Sequence, residues 1–432
     1  MAPPPALFRI YRAITPLIQP LAWRAVARKL HAHGVPVERA RERLGHATLP
    51  RPDGPLIWFH AASVGESLSV LTLIARLGAR LPGAEFLITS GTATSAEVLA
   101  RRMPPRCRHQ FAPLDAPGPV RRFLDHWRPD AALFVESELW PLMIVETSAR
   151  GAPVALLNAR LSAKSVEGWK KWPQTTHFIL SHFALLMAQS RQTAEDLIAM
   201  GAPEDRVEQG VNLKATAAPP PVDAATLAAM RAAIGTRPVW LASSTHAGEE
   251  EVVLAAFQRL RASSPDLLLI LAPRHPERGA EVAALIAEAG FSCARRSEGQ
   301  PLAADTQVYL ADTLGETGTW YSLAPFAFLG ASLVPKGGHN PIEPAQFGVP
   351  LITGPHRENA QGAYAALQAA GGLVEVRDAA TLAAAVADWL DHPGRLAAAQ
   401  TGARSLVQRQ EEALEGVVDR LCSALALDAA DA

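Results

Sequence analysis

The chain reads as an α/β protein built from two doubly wound βαβ domains, and three observations carry that expectation. Short apolar runs of about four to six residues alternate with amphipathic stretches along most of the sequence, the pattern of parallel strands covered by helices on both faces. At 432 residues the chain exceeds the length that one hydrophobic core usually supports, so two domains are expected. Between the two series of runs lies ATAAPPPVDAA at 215–225, whose proline triplet can join neither sheet and suits a short, stiff connector.

In chain order, residues 1–45 carry eight basic groups (Arg9, Arg12, Arg24, Arg28, Lys29, Arg39, Arg41, Arg43) against Glu38 and Glu42, a net of +6. These are interleaved with Leu7, Phe8, Ile10, Tyr11, Ile14, Leu17, Ile18, Leu21 and Trp23, so the segment reads as a basic amphipathic element lying on an anionic membrane surface. The bland alternative is a helix that packs only on its own protein. A spanning helix needs about 20 mostly apolar residues. The longest uncharged run here, 13–23, contains Pro16 and Pro20, so crossing is not expected.

The first domain is placed at 46–214, with strands expected at 56–61, 85–89, 131–135, 154–157 and 183–188. A linker at 215–235 leads to a second domain at 236–405, with strands at 239–242, 267–272, 308–311, 326–330 and 350–353, and a C-terminal helix occupies 406–432. The two domains open alike, WFHAASVGE against WLASSTHAGE, each a strand followed by Gly-Glu at a helix start.

Composition removes several classes of function. A net charge of -1 with 19 % charged residues does not suit a protein that coats nucleic acid. Three cysteines without paired or metal-ligand spacing, and no cleavable signal, point to a reducing, cytosolic setting. The P-loop, GxGxxG, HExxH, CxxC and GxSxG patterns are all missing from the sequence.

In open α/β sheets ligands bind beyond the carboxyl ends of the strands, so the residues just after each apolar run are the site candidates. After the first strand, Ser63, Gly65 and Glu66 set a carboxylate at a helix start, where it either caps its own helix or accepts a proton from a substrate hydroxyl. Glu136 and Glu138 follow another strand of the same sheet, and Arg160 follows the next, with an evident partner in either glutamate. Lys214 stands at the mouth of the connector.

In the second half, Pro273 and Arg274 end a Leu-rich strand, and an arginine fork matches phosphate; the alternative is that Arg274 and Arg278 merely pair with Glu277 and Glu281. Gly315, Glu316 and Thr317 form a flexible loop whose acid suits a ribose or base. The most site-like stretch is LVPKGGHNPIEPAQFG at 333–348. Gly337 and Gly338 permit φ > 0 or a close approach, and Pro341 marks a helix start whose amides would face an anion. The alternative there is a plain tight turn with a capped helix.

Taken in order, WFHAASVGE, VESELWP, LNARLSAKS, STHAGEE, APRHPER, GETGTWY and VPKGGHNPIEPA strongly resemble the 3-deoxy-D-manno-octulosonic acid (Kdo) transferases of lipopolysaccharide synthesis, over about residues 7–405. The resemblance implies a GT-B glycosyltransferase: two Rossmann-like domains facing across a cleft, a lipid A precursor bound by the first and CMP-Kdo by the second. It also implies a place on the cytoplasmic face of the bacterial inner membrane, no cofactor beyond the donor substrate, no tightly bound metal and no nucleic-acid partner.

Carried over residue by residue, the resemblance makes Glu66 the general base and credits Glu136 and Lys214 with transition-state stabilisation. It places Pro273, Arg274, Gly315, Glu316, Thr317, Asn340, Pro341, Ile342 and Glu343 in segments that contact CMP. Two local departures stand out. The stretch Gly210 to Lys214 is one residue longer than the family's usual Gly-Asn/Ser-Leu-Lys, and a common double glycine reads Gly330-Ala331. The competing readings are another GT-B enzyme acting on a UDP-sugar, and a non-catalytic lipid- or nucleotide-binding adaptor.

Overall fold

The structure is a computed structural model that describes residues 3–213 and 218–428. Two compact units divide the chain. Residues up to 217 together with those from 411 onward form the first, and 218–410 form the second.

In the first unit α1 (Ala6–Ala32) and α2 (Val37–Ala40) precede an alternating series. It runs β1 (Leu56–His60), α3 (Val64–Arg80), β2 (Glu85–Ser90), α4 (Ala93–Ala100), β3 (Cys107–Phe111), α5 (Pro117–Trp127), β4 (Ala131–Val135), α6 (Pro141–Ala149), β5 (Val154–Ala159), α7 (Ala163–Lys170), α8 (Pro173–Leu180), β6 (Phe183–Ala188), α9 (Arg191–Ala199) and β7 (Val207–Gln209). The strands form one parallel sheet in the order β3-β2-β1-β4-β5-β6-β7. Strand β1 is buried throughout, as a strand covered on both faces must be. Ser63, Thr92, Ser162 and Ser190 start the helices that follow four of these strands, each side chain accepting the backbone amide three residues on.

The second unit repeats the plan: α10 (Ala224–Ile234), β8 (Val239–Thr245), α11 (Glu249–Arg261), β9 (Leu268–Pro273), α12 (Gly279–Glu288), β10 (Cys293–Arg295), β11 (Val308–Leu310), α13 (Thr317–Tyr321), β12 (Ala327–Leu329), α14 (Ile342–Ala345), β13 (Leu351–Thr353), α15 (Gln361–Ala369), β14 (Leu373–Glu375), α16 (Ala379–Asp391) and α17 (Pro393–Ala424). Its sheet is also parallel, in the order β10-β11-β9-β8-β12-β13-β14. Helix α17 serves both cores. Leu396 and Ala399 pack in the second unit, whereas Leu414, Val418, Leu421 and Cys422 pack against β1, β2 and α3 in the first.

All of the apolar runs form strands, two with unchanged ends and the rest with ends shifted by at most three residues. The strands that the runs do not mark are β3, β7, β10 and β14, which are the outer strands of the two sheets. An edge strand has one exposed flank, so CRHQF, VEQ, CAR and LVE carry charge and too few apolar residues in a row to stand out, whereas the central strands hold longer apolar runs.

Helix α1 runs unbroken through Pro16 and Pro20. Both prolines are exposed, so water reaches the carbonyls that lose their partners, and the helix continues. Phe8, Ala27 and Leu30 are buried on the unit. Ile10, Ile14, Leu17, Ile18 and Leu21, at spacings of three and four, stay exposed, with Leu17 at 77 % and Leu21 at 65 %. Among the described residues no helix is long and apolar enough to cross a membrane.

Candidate active site

Each sheet reverses its winding at one point, between β1 and β4 in the first unit and between β8 and β12 in the second. The crevice beyond such a switch point is where open α/β sheets bind ligands. Glu66, Glu136 and Glu138 follow β1 and β4, and Asn340 and Glu343 follow β12, strands that flank these points.

In the first unit Glu66 occupies the first turn of α3. Its carboxylate accepts the amide of Ala62 and the hydroxyl of Ser63, each at 2.8 Å, while Ser63 Oγ accepts the amide of Glu66 at 3.3 Å. The capping alternative is therefore realised, and the carboxylate nonetheless remains half-buried. Burial pushes its pKa up; Glu138 and Glu136 push the same way, against the hydrogen bonds from Ser63 and Ala62. Gly65, beside it, is exposed and has open space where a side chain would stand.

Glu136 follows β4 with φ +58°, a left-handed conformation rare for a side-chain-bearing residue. Glu138 lies 3.3 Å from Nε2 of His60, the buried last residue of β1, and accepts the indole N–H of Trp140. Burial alone would raise Glu138, but His60, Trp140 and Arg43 outweigh it and hold the carboxyl below its ordinary value. Neighbouring carboxylates are thus pushed in opposite directions, the arrangement by which one acid is kept ionised beside another that can take up a proton. Arg160 is exposed, and the partner of Glu138 is His60, which sequence spacing did not offer. Asn158 Oδ1 accepts the amide of Leu213 at 3.3 Å, bringing that loop to the same edge. Lys214 lies outside the described residues.

In the second unit a cavity of about 330 Å³ opens at the switch point. Pro273, Arg274, Gly315, Thr317, Asn340 and Glu343 line it, together with Ser244, Trp320, Tyr321 and His339, which the sequence reading did not assign. The two arginines of APRHPER part company. Arg278 is held by Glu250 at 2.8 Å and Glu281 at 2.7 Å, and Glu277 meets His275 instead. Arg274 is exposed at the cavity with no carboxylate partner among the described residues.

Three candidates are placed differently from the expectation. Glu316 is turned to Arg296 at 2.7 and 3.2 Å and to Thr313, and these contacts, outweighing burial, hold its pKa down. Pro341 and Ile342 are buried behind the cavity wall. Helix α14 is a single turn and the amide of Ile342 is taken by Asn340 Oδ1 at 3.1 Å, so that one of the helix-start amides foreseen for an anion is already occupied.

Gly337 and Gly338 have φ of +84° and +73°, and a Cβ at either would meet Asn359 or Tyr364 within 3 Å. Their role is to fold this loop against its own chain rather than to admit a ligand. Burial raises Glu343, and Asn340 and Arg274 offset part of that. Nearby, Nε2 of His339 and Nε2 of His246 are 3.1 Å apart in near-parallel rings at 15°. Burial, then the neighbouring His246 and Arg274, push His339 down to about 4. Both histidines stand in strings singled out by sequence, but nothing in their spacing showed that they meet. Among the described residues no group of three or more His, Cys, Asp or Glu side chains is placed to hold a metal ion.

The profile of the family described as 3-Deoxy-D-manno-octulosonic-acid transferase (kdotransferase) matches residues 38–217. The chain is 36 % identical to the probable 3-deoxy-D-manno-octulosonic acid transferase, mitochondrial, of Arabidopsis thaliana, over 81 % of this chain and 80 % of that protein. It is 33 % identical to the 3-deoxy-D-manno-octulosonic acid transferase of Bordetella pertussis, over 95 % of this chain and 96 % of the relative. Among solved structures, a glycosyltransferase from Rickettsia africae covers 87 % of this chain and 99 % of its own at a TM-score of 0.54 and 15 % identity, a likeness of fold. With two parallel Rossmann-like sheets and relatives of this identity over most of its length, the chain belongs to the Kdo transferase family of GT-B glycosyltransferases.

Proposed function

We propose that the protein transfers Kdo from CMP-Kdo to a hydroxyl of a lipid A precursor at the cytoplasmic face of a bacterial inner membrane. The first unit binds the acceptor and the second the donor. The observation that carries this reading is the second unit's cavity, because it joins an exposed arginine, with no carboxylate in ion-pair contact among the described residues, to segments from four strand ends at a switch point. A nucleotide needs that combination of one exposed cation for its phosphate and a polar, partly aromatic wall for the rest.

In the proposed reaction Glu66 takes the proton of the acceptor hydroxyl as that oxygen attacks the anomeric carbon of Kdo. The bond from that carbon to the phosphate oxygen breaks with inversion, and the departing CMP carries the electron pair and the charge. Arg274 balances the charge on the leaving phosphate, and Glu136 with Lys214 steadies the transition state. Asn340, Glu343, Gly315 and Thr317 orient the nucleotide. Ser63 sets the direction of the Glu66 carboxylate through its 2.8 Å bond. The exposed apolar face of α1, with its basic neighbours, suits an anionic headgroup plane and brings the unit to a lipid-borne acceptor.

The test is release of CMP by the purified protein from CMP-Kdo in the presence of a tetraacylated lipid A precursor. Glu66→Gln is expected to lower kcat by about 10²- to 10⁴-fold, the usual contribution of a positioned base. Because burial raises Glu66, its base form fills at a higher pH than an ordinary glutamate's. The parent rate should fall with acidification through that raised value, and this limb should be missing from the residual activity of the variant. Turnover that is equal in parent and variant, or CMP binding no tighter than UDP binding, would oppose the proposal.

A further inference from the structure

Three of the chain's six lysines, Lys164, Lys170 and Lys171, fall in the segment Lys164 to Trp172, which reads KSVEGWKKW; apart from Lys29 and Lys214, every other Lys or Arg position of the first unit is an arginine. Lys164, Lys170, Lys171 and Trp172 are all exposed, and Trp172 shows 54 % of its surface. Among the described residues only Lys170 has a carboxylate within ion-pair reach, Glu167 at 3.6 Å, and the segment carries three lysines against that one glutamate. Trp169 is partly buried in the unit's core and its carbonyl accepts the amide of Trp172 at 3.0 Å, so the exposed indole stands on an anchored turn.

An exposed tryptophan directly preceded by two lysines is poorly suited to water and well suited to a headgroup layer, where an indole is half-solvated and lysines reach phosphates. The next element, α8, packs on α1 through Phe178 and Phe8, whose ring centroids are 5.1 Å apart. The patch is thereby fixed to the helix whose apolar stripe is exposed.

We infer that the Lys164 to Trp172 segment is a second membrane-docking element, and that its partner is the anionic phospholipid surface of a bilayer. The inference rests on the proposed membrane-borne acceptor, and it adds a contact that α1 alone does not supply. Two separated contacts on one rigid unit fix its orientation on a plane, whereas a single helix leaves the unit free to roll about its axis.

The experiment is co-sedimentation of the full chain with vesicles of phosphatidylcholine alone and of phosphatidylcholine with phosphatidylglycerol at 3:1, neither containing acceptor. The double variant Lys170→Gln/Lys171→Gln is expected to bind the anionic vesicles about 25-fold more weakly, about fivefold per lysine, with little change on neutral ones. Trp172→Ala should weaken binding to both. Arg191→Gln, which removes one positive charge on α9, should leave binding unchanged.

Parent-like binding by the lysine and tryptophan variants overturns the inference. So does a loss of about fivefold in Arg191→Gln, the same as for one lysine, which would make the effect one of net charge. A raised KM for acceptor in detergent with vesicle binding intact also overturns it, because the segment would then be an acceptor subsite. Parent CMP release in detergent separates the two proposals: its absence sinks the transfer reaction, whereas its presence alongside parent-like vesicle binding by the variants sinks the docking element alone.

Discussion

Four residues other than glycine take left-handed backbone at the carboxyl ends of central strands: Glu136 at φ +58°, Asn158 at +51°, Ser244 at +57° and Ala331 at +61°. Such a conformation disfavours an L-residue by about 1–2 kcal/mol, and it persists where surrounding contacts over-determine it. At Ala331 those contacts are visible, since its amide donates to Glu249 at 2.7 Å. Glycine at 331 would relieve the strain at a smaller entropic cost, so Ala331→Gly is expected to stabilise the protein by about 0.5–1 kcal/mol without loss of CMP binding. Urea unfolding of parent and variant measures it, and a destabilised variant would show that the alanine methyl is held by packing. The sequence exposed this position only as a departure from a double glycine. Its backbone angle could not be read there, because φ is imposed by a loop closing on a distant helix start.

That helix start is α11, and its first residue explains how the cavity keeps its shape. Glu249 is fully buried and accepts the amides of His246 at 3.0 Å, Ala331 at 2.7 Å, and Ser332 and Leu333 at 2.9 Å each. One carboxylate thus ties the end of β8 to the loop after β12, the two elements that flank the switch point. Glu249→Ala would leave buried amides without acceptors, and a loss of about 3–5 kcal/mol in stability is expected, with CMP affinity falling at least tenfold. Denaturant unfolding and calorimetric titration with CMP check both, and intact affinity would show that the loop holds its shape unaided. Sequence reading placed a Gly-Glu at a helix start correctly. It could not see that the glutamate serves a segment some eighty residues away.

For the whole molecule, acid should act first through a buried histidine of the first unit. Arg39 can only donate, so its 2.8 Å contact makes Nδ1 of His109 an acceptor and leaves the proton on Nε2, which donates to Ser90 Oγ at 2.9 Å. Burial, then the Arg39 charge, push His109 down to about 3. A histidine whose folded value lies below its unfolded one contributes stability that is present above about pH 6.5 and is lost as pH falls through that value towards the folded one, since the unfolded chain binds the proton first. Unfolding free energy should therefore fall by roughly 3–4 kcal/mol between pH 7 and pH 4 from this group. His109→Gln should remove that share of the slope in urea titrations at stepped pH, and an unchanged slope would assign the acid sensitivity to other groups. Arg39 also pairs with buried Glu42, which accepts the amide of Phe111, so the same network fastens the segment after α1 to edge strand β3.

The sequence by itself determined the α/β class, every central strand, the loops that flank both switch points and the family, because central strands and strand-end motifs are written as continuous local runs. It did not mark the edge strands, whose one exposed flank breaks the apolar signal. Tertiary structure alone decided which side chains meet. Arg278 went to Glu250 and left Arg274 at the cavity, Glu316 turned to Arg296, and His60 rather than Arg160 took Glu138. Each of these choices is made between residues on different elements, where charge, burial and distance compete only after the sheets have assembled.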